Sequence, residues 1–527
     1  MGDRQTLLDA IHPLRWAAPL FLLLTALPAA RGEAFRYVGK VIVEEPTQLD
    51  WSYAHFGTSP ATPPADATQD ASRGGKYSYE FYGPADGDIS GAPLVIFVSP
   101  QDRPVGWDFF AETCEARGVM FAGVRDAGNG VPEVRRIRAV LEVLSDVRRR
   151  YGGRSEQTYL AGFSGGAHVA WRVACALPEQ FGGVVCIGYA PQPPQSAWQR
   201  VRLAERLSVA VINGQRDSAT PWAEDLYVPL LEAYNVRIAE AIIPRQGHTM
   251  PPPDAIERAF DWLELDRHAR AGDFKRRLGL NIGGAAPREK QSASYLASAK
   301  QRLMHADSTP AGLAGLAEVV HRWPDLPAAK EARTLLDDFK QRPDKPWEAD
   351  QQRQALQVLR IEANGYERLA RGSDPSIRSQ RAALAANAKQ RWELVVKQGD
   401  ERQQAEATQR LVELEKWIAR TPTTDAEAAG VPLANVRFEL VGEVTLAEGV
   451  ERFGDVLAKL GYRLEVDPSA AAVITASDGG KLKLEMPAAT YNDVDRRFFR
   501  RNGLKLVRKG REVRLLPLEA KAKAAAE

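Results

Sequence analysis

Hydrophobic positions along the chain fall into three successive regimes. From Lys76 onward, Tyr77, Tyr79 and Phe81 alternate with polar residues, which predicts a half-buried strand. Pro93 to Val98 is continuously apolar and predicts a strand covered on both faces, and Val119–Val124, Thr158–Ala161, Gly183–Gly188, Ser208–Ile212 and Arg237–Ile243 predict further strands. Between them, Glu133–Arg150 places Val134, Ile137, Val140, Leu141, Leu144 and Val147 at helical spacing. Phe109–Arg117, Ala167–Leu177, Ala223–Tyr234 and Asp254–Leu265 also read as helices. Strands alternating with helices predict an α/β domain with a doubly wound, mostly parallel sheet over residues 76–266. Chemistry in such sheets sits at the carboxyl ends of the strands.

Beyond about Arg270 the strand pattern stops. Ser292–Met304, Gly312–Arg322, Pro327–Lys340, Trp347–Ala370, Pro375–Lys397 and Glu401–Ala419 predict an all-α region of helical hairpins over 290–420. After a Thr/Pro linker at Thr421, strand and helix periods return. Val436–Val441, Gly461–Val466, Lys481–Met486, Gly503–Val507 and Glu512–Leu516 read as strands, and Leu446–Leu460 and Tyr491–Arg501 as helices, giving a small α+β domain over 433–518. Ahead of the sheet, residues 35–75 predict a strand at Tyr37–Val43 and a Pro/Ala/Thr/Ser-rich linker at Thr58–Ser72.

The N-terminus changes the expected compartment. Arg15 precedes a 12-residue apolar run, Trp16–Leu27, followed by Pro28-Ala29-Ala30 and Gly32-Glu33-Ala34. This predicts a signal peptide over 1–34, cleaved after Ala30 or Ala34, and export to the periplasm or the cell exterior. A membrane anchor needs about 20 apolar residues. No other stretch is apolar enough to span, so no transmembrane segment is expected once the signal is removed. Net charge is only +2, which gives no bulk field for nucleic acid, and the Arg148–Arg150 and Arg496–Arg501 clusters read as solvated helix faces. The three cysteines, Cys114, Cys175 and Cys186, form no C-x-x-C, lie near no His pair and sit in apolar runs, so no structural zinc site is expected, and the serine chemistry read below implies no metal or organic cofactor.

The chemistry centres on Gly162-Phe163-Ser164-Gly165-Gly166, which lies between a predicted strand and a predicted helix. That is the context of a nucleophile elbow, a sharp turn that projects the serine hydroxyl into open space. A serine hydroxyl is a poor nucleophile and needs a base, usually histidine, held in its tautomer by an acid. The order on this fold is serine, acid, histidine. Of seven histidines, His12 and His55 come too early, His168 precedes any acid, and His268, His305 and His321 lie at or beyond the end of the sheet domain, which leaves His248, right after the strand Arg237–Ile243 in Gly247-His248-Thr249. Asp217 ends the polar turn Asn213-Gly214-Gln215-Arg216-Asp217 after the strand Ser208–Ile212, whereas Asp225 and Asp254 fall in or at helices. Ser164, Asp217 and His248 are therefore the candidate catalytic residues. The oxyanion hole is expected to use the backbone N–H of Gly165 and, because Pro100 has none, that of Gln101.

With these residues in view, 76–266 resembles an α/β-hydrolase of the secreted esterase kind, related in pattern to polyhydroxybutyrate-depolymerase and feruloyl-esterase-like proteins. The resemblance rests on Phe97-Val98-Ser99-Pro100-Gln101, the Gly162–Gly166 elbow, Asp217 and Gly247-His248. It departs where such enzymes usually carry His-Gly, since Ser99-Pro100 stands there. Residues 321–336 resemble the junction of a tetratricopeptide helix pair, and 433–518 resembles the short N-terminal domains of secretins and TonB-dependent receptors. The resemblance of 76–266 implies a serine hydrolase acting on a small-molecule or polymeric carboxylic ester, the leader adds export, and an envelope protein is the expected partner of residues 290–518. Two other readings are a non-catalytic hydrolase-like scaffold of an envelope complex and a serine peptidase. A peptidase of the prolyl-oligopeptidase type normally adds a β-propeller, and no such repeat is present in the sequence.

Overall fold

A computed structural model describes residues 35–47, 49, 77–85, 88–277, 287–420, 438–459, 462–476, 482–489, 491–509 and 512–518. The predicted signal peptide and the Thr58–Ser72 linker lie outside them. The chain divides into two compact units, Met1–Glu362 and Ala363–Glu527.

The first unit is built on one eight-stranded sheet. Its strands are β1 (Phe35–Ile42), β2 (Ser78–Pro84), β3 (Leu94–Val98), β4 (Met120–Val124), β5 (Thr158–Phe163), β6 (Gly183–Ile187), β7 (Ser208–Gly214) and β8 (Arg237–Ile243). Their order is β1-β2-β4-β3-β5-β6-β7-β8. Strand β2 pairs antiparallel with both β1 and β4, and every later pairing is parallel, so β2 alone runs against the rest. Helices cover both faces: α1 (Trp107–Arg117), α2 (Glu133–Tyr151), α3 (Gly165–Ala176), α4 (Ala197–Arg206), α5 (Val228–Ala233) and α6 (Pro253–Arg277). Alternation along β3 feeds two cores. Leu94, Ile96 and Val98 join α2, α3 and α4 on one side, and Val95 and Phe97 join α1 and α6 on the other. This arrangement is a doubly wound, mostly parallel α/β sheet followed by a helical region.

Strand β2 departs from its predicted half-burial. Ser78 is 1% exposed and Glu80 4% exposed, because β2 lies inside the sheet rather than at its rim. The polar face is neutralised locally: Glu80 pairs with Arg125, and Ser78 Oγ donates to Asp126 Oδ2 at 3.4 Å. The edge is taken by β1, which belongs to this sheet although it precedes the 76–266 span.

Helices α7 (Arg288–Arg302), α8 (Thr309–Arg322), α9 (Pro327–Gln341) and the first part of α10 (Pro346–Arg371) complete the first unit. A buried ion network ties α7 and α8 to the sheet's own helices. Arg322 bonds Glu179 at 2.7 Å and Glu318 at 2.9 Å, Arg202 lies 3.4 Å from Glu318, and Arg302 reaches Glu205 at 2.8 Å. Tyr295 packs under the Arg202 and Arg322 guanidinium groups at 5.1 and 5.0 Å. Burial raises the Glu179 carboxyl, but Arg322 and Arg202 outweigh it and leave the net shift downward.

The second unit holds the end of α10, α11 (Arg381–Gln398), α12 (Glu401–Arg420) and a small α+β domain. That domain has one pair, β9 (Phe438–Val444) with β11 (Leu482–Ala489), and a three-stranded sheet, β10 (Arg463–Val466), β13 (Glu512–Pro517), β12 (Leu504–Lys509). Helix α13 (Leu446–Lys459) starts at a capping box: Glu448 N–H donates to Thr445 Oγ1 at 3.2 Å, and Thr445 N–H to Glu448 at 2.8 Å. Phe453, Phe498, Phe499, Leu504 and Val513 form its core. Sequence periodicity misses helix α14 (Pro468–Ala476), whose start is set by Asp467 accepting the Ser469 N–H at 3.0 Å.

Candidate active site

The sheet's strand order reverses between β3 and β5, and the crevice at such a reversal opens at the carboxyl ends of the strands. Ser164 sits there, between β5 and α3. Its backbone is at φ 53, ψ −123, a conformation that L side chains rarely adopt. Glycine neighbours make the turn possible. A Cβ on Gly162 would lie 2.5 Å from Gly166 C, and one on Gly166 would lie 2.0 Å from Val98 O. The turn is held by Ser164 N–H donating to Ile187 O at 2.8 Å.

Three side chains converge at this point. His248 Nε2 is 2.8 Å from Ser164 Oγ, and His248 Nδ1 is 2.8 Å from Asp217 Oδ2. Asp217 is 1% exposed, and its second oxygen accepts the Ala219 N–H at 2.9 Å. The carboxylate is thus fixed from both ends, which assigns the proton to His248 Nδ1 and leaves Nε2 to accept from the serine. The loops carrying acid and base support each other: Arg216 N–H donates to Gln246 O at 2.8 Å and Gln215 N–H to Ile243 O at 2.9 Å.

Two features beside the three residues escape sequence reading. Phe163 packs against the His248 ring with centroids 5.0 Å apart. Gly188, at φ +58, gives the imidazole its space: a Cβ there would lie 2.9 Å from Phe163, 3.1 Å from His248 Cε1 and 3.3 Å from Asp217 Oδ2. A glycine that ends a predicted strand carries no marker of this role. The marker is the tertiary approach of residue 248, 60 positions away.

The expected oxyanion donors differ in their state. Gly165 follows the serine directly at the start of α3. The Gln101 amide is engaged: its N–H donates to Ser99 Oγ at 3.1 Å, and Ser99 Oγ donates to Gln101 Oε1 at 2.7 Å. His168, one turn past the serine, faces elsewhere. Its Nδ1 is 3.1 Å from Tyr189 Oη and its Nε2 3.2 Å from Glu133 Oε1. Burial pushes the Tyr189 hydroxyl well above its usual range, so it keeps its proton. Burial raises Glu133 too, but the His168 hydrogen bond and the Arg172 charge hold it below the ordinary carboxylate range. Cys114, Cys175 and Cys186 are free and buried, and burial raises their thiols, so none is primed as a nucleophile. Among the described residues no group of three or more His, Cys, Asp or Glu side chains could hold a metal ion. No described helix is long and apolar enough to cross a membrane.

No family model and no curated protein matches the chain. Among solved structures, a thermostable esterase is 16% identical, with 36% of this chain and 60% of that one covered and a TM-score of 0.30. The chain thus spans under two thirds of that esterase's length. S-formylglutathione hydrolase from Agrobacterium tumefaciens is 15% identical over 37% of this chain and 90% of that one, with a TM-score of 0.28. A puromycin-hydrolyzing peptidase from Mycobacterium tuberculosis is 12% identical over 37% of each chain, also at 0.28. These scores are low, and the catalytic reading rests on side-chain geometry.

Proposed function

We propose that the protein is an exported serine hydrolase that cleaves a carboxylic ester through a covalent acyl-enzyme. The observation that carries this is the continuous relay Ser164 Oγ, His248, Asp217, with both links at 2.8 Å. An apolar or merely structural serine has no use for a strained backbone, an imidazole on its hydroxyl and a buried carboxylate behind that imidazole.

In the reaction, Ser164 Oγ attacks the ester carbonyl carbon while His248 Nε2 takes its proton. Asp217 orients the ring and stabilises the imidazolium. The intermediate collapses as His248 returns the proton to the departing alkoxide. Water, activated by the same histidine, then releases the acid. The Gly165 N–H, beside the nucleophile, supplies one donor to the oxyanion. Ester rather than amide cleavage follows from the resemblance of residues 76–266 to secreted esterases. Export follows from the leader pattern in 1–34, and the helical and C-terminal regions are assigned to attachment or assembly in the envelope.

The deciding experiment is labelling with a fluorophosphonate, which reacts with an activated serine. The wild type should label and the Ser164→Ala variant should not. Equal labelling of both removes the serine-hydrolase reading.

A further inference from the structure

The turn between β4 and α2, Asp126-Ala127-Gly128-Asn129-Gly130, lies against the loop that follows β3. Asp126 N–H donates to Asp102 O at 2.7 Å, Gly128 N–H to Asp102 Oδ1 at 3.0 Å, and Asn129 N–H to Pro100 O at 2.8 Å. Buried Arg136 fastens both loops from below, with Nε on Ala127 O at 2.7 Å and Nη2 on Ser99 O at 3.4 Å. A Cβ on Gly128 would lie 2.5 Å from Asp102 Oδ1, so only glycine permits this approach.

The zipped loops bring the Asn129 side chain to the nucleophile elbow. A Cβ built on Gly165 would lie 2.1 Å from Asn129 Oδ1 and 3.0 Å from Nδ2. Position 165 therefore lacks a side chain where an amide from another loop stands. Among the described residues the Asn129 carboxamide makes no hydrogen bond, although it is exposed beside two tightly bonded loops. The neighbouring candidate donor, the Gln101 N–H, is already given to Ser99 Oγ.

We propose that Asn129 is a catalytic residue whose Nδ2 donates the second hydrogen bond to the oxyanion, alongside the Gly165 N–H. This rests on Ser164 being the nucleophile. As Oγ bonds the carbonyl carbon, the π pair moves onto the carbonyl oxygen and the serine proton onto His248. Asn129 Nδ2–H and Gly165 N–H hold that oxygen until the pair re-forms the carbonyl and the C–O bond to the alcohol breaks. A side-chain amide thus does the work that the Ser99-Pro100 segment leaves undone, since Pro100 has no N–H.

The test uses the full chain with p-nitrophenyl acetate as substrate and a trifluoromethyl ketone as a mimic of the tetrahedral adduct. Asn129→Ala and the near-isosteric Asn129→Asp should each lower kcat by about 10²–10³ with KM within about twofold. Ketone affinity should fall by the same factor as kcat/KM, and the thermal midpoint should not move. Gly165→Ala, whose Cβ would displace the amide, should lose a similar factor, and adding Asn129→Ala to it should cost little more. If Ser164→Ala is dead while Asn129→Ala keeps kcat and ketone affinity within about twofold, Asn129 is not the donor, although the nucleophile stands. A change confined to KM overturns the assignment equally. If Ser164→Ala turns over at the wild-type rate, the nucleophile falls and Asn129 with it.

Discussion

At the scale of single residues, the site depends on where protons are held and where atoms are missing. Asp217 fixes the His248 tautomer through Nδ1 at 2.8 Å, so Asp217→Asn should cost about 10⁴ in kcat on a p-nitrophenyl ester while the thermal midpoint stays near wild type. A loss under tenfold would remove Asp217 from the relay. Gly188 makes the complementary point. In Gly188→Ala the new methyl would sit 3.1 Å from His248 Cε1 on a backbone at φ +58, so the ring must shift. Displacement of about 1 Å costs on the order of 10²-fold in rate, so this shift of a few tenths of an ångström should cost up to that factor. Steady-state kinetics should show this loss in kcat, and a crystal structure of the variant should show the imidazole moved off Ser164. The order Ser164, Asp217, His248 is legible in the sequence because each follows a recognisable strand. Gly188, Phe163 and Asn129 are not, because their roles exist only once distant loops meet.

At the scale of elements, the buried strands announce themselves by continuous apolar runs, and β2 does not. Its alternation is genuine, yet Ser78 and Glu80 are buried because Arg125 and Asp126, at the end of β4, reach back to them. A pattern read along one chain segment does not show which partners a sheet supplies. The same holds for α7 and α8, whose helical period is plain but whose docking face is charged. Arg322 is 1% exposed and serves both Glu179 and Glu318. Arg322→Met should therefore destabilise the first unit by about 3–5 kcal/mol, since buried Glu179 loses its ion-pair partner and buried Glu318 keeps only Arg202. Chemical denaturation should show the drop as a lower midpoint. The further change Glu179→Leu should recover part of it, and a variant as stable as wild type would mean that the network is dispensable.

At the scale of the whole molecule, alternation of strand and helix predicts the α/β sheet, but not how much of the following chain the sheet requires. The first compact unit extends to Glu362, well past the last strand. A chain ending at Arg277 should be poorly soluble and sensitive to protease, because Glu179, Arg202 and the Trp198 side would face water without α7 and α8. A chain ending at Arg371, after α10, should keep its turnover of p-nitrophenyl acetate within about twofold. Expression and kinetics of the two truncations check this, and a stable, active chain ending at Arg277 would refute it.

The Glu179–Arg322 bond also sets a clock on biosynthesis. Its partners are 143 residues apart, and at about 5–20 residues per second the ribosome needs roughly 7–30 s to supply the second after the first. Through that interval a carboxylate fated for the interior waits in water, and the face that α8 will cover stays open. The first unit is therefore unfinished long after the last strand of its sheet has emerged, which gives chaperones an extended period in which to hold it unfolded.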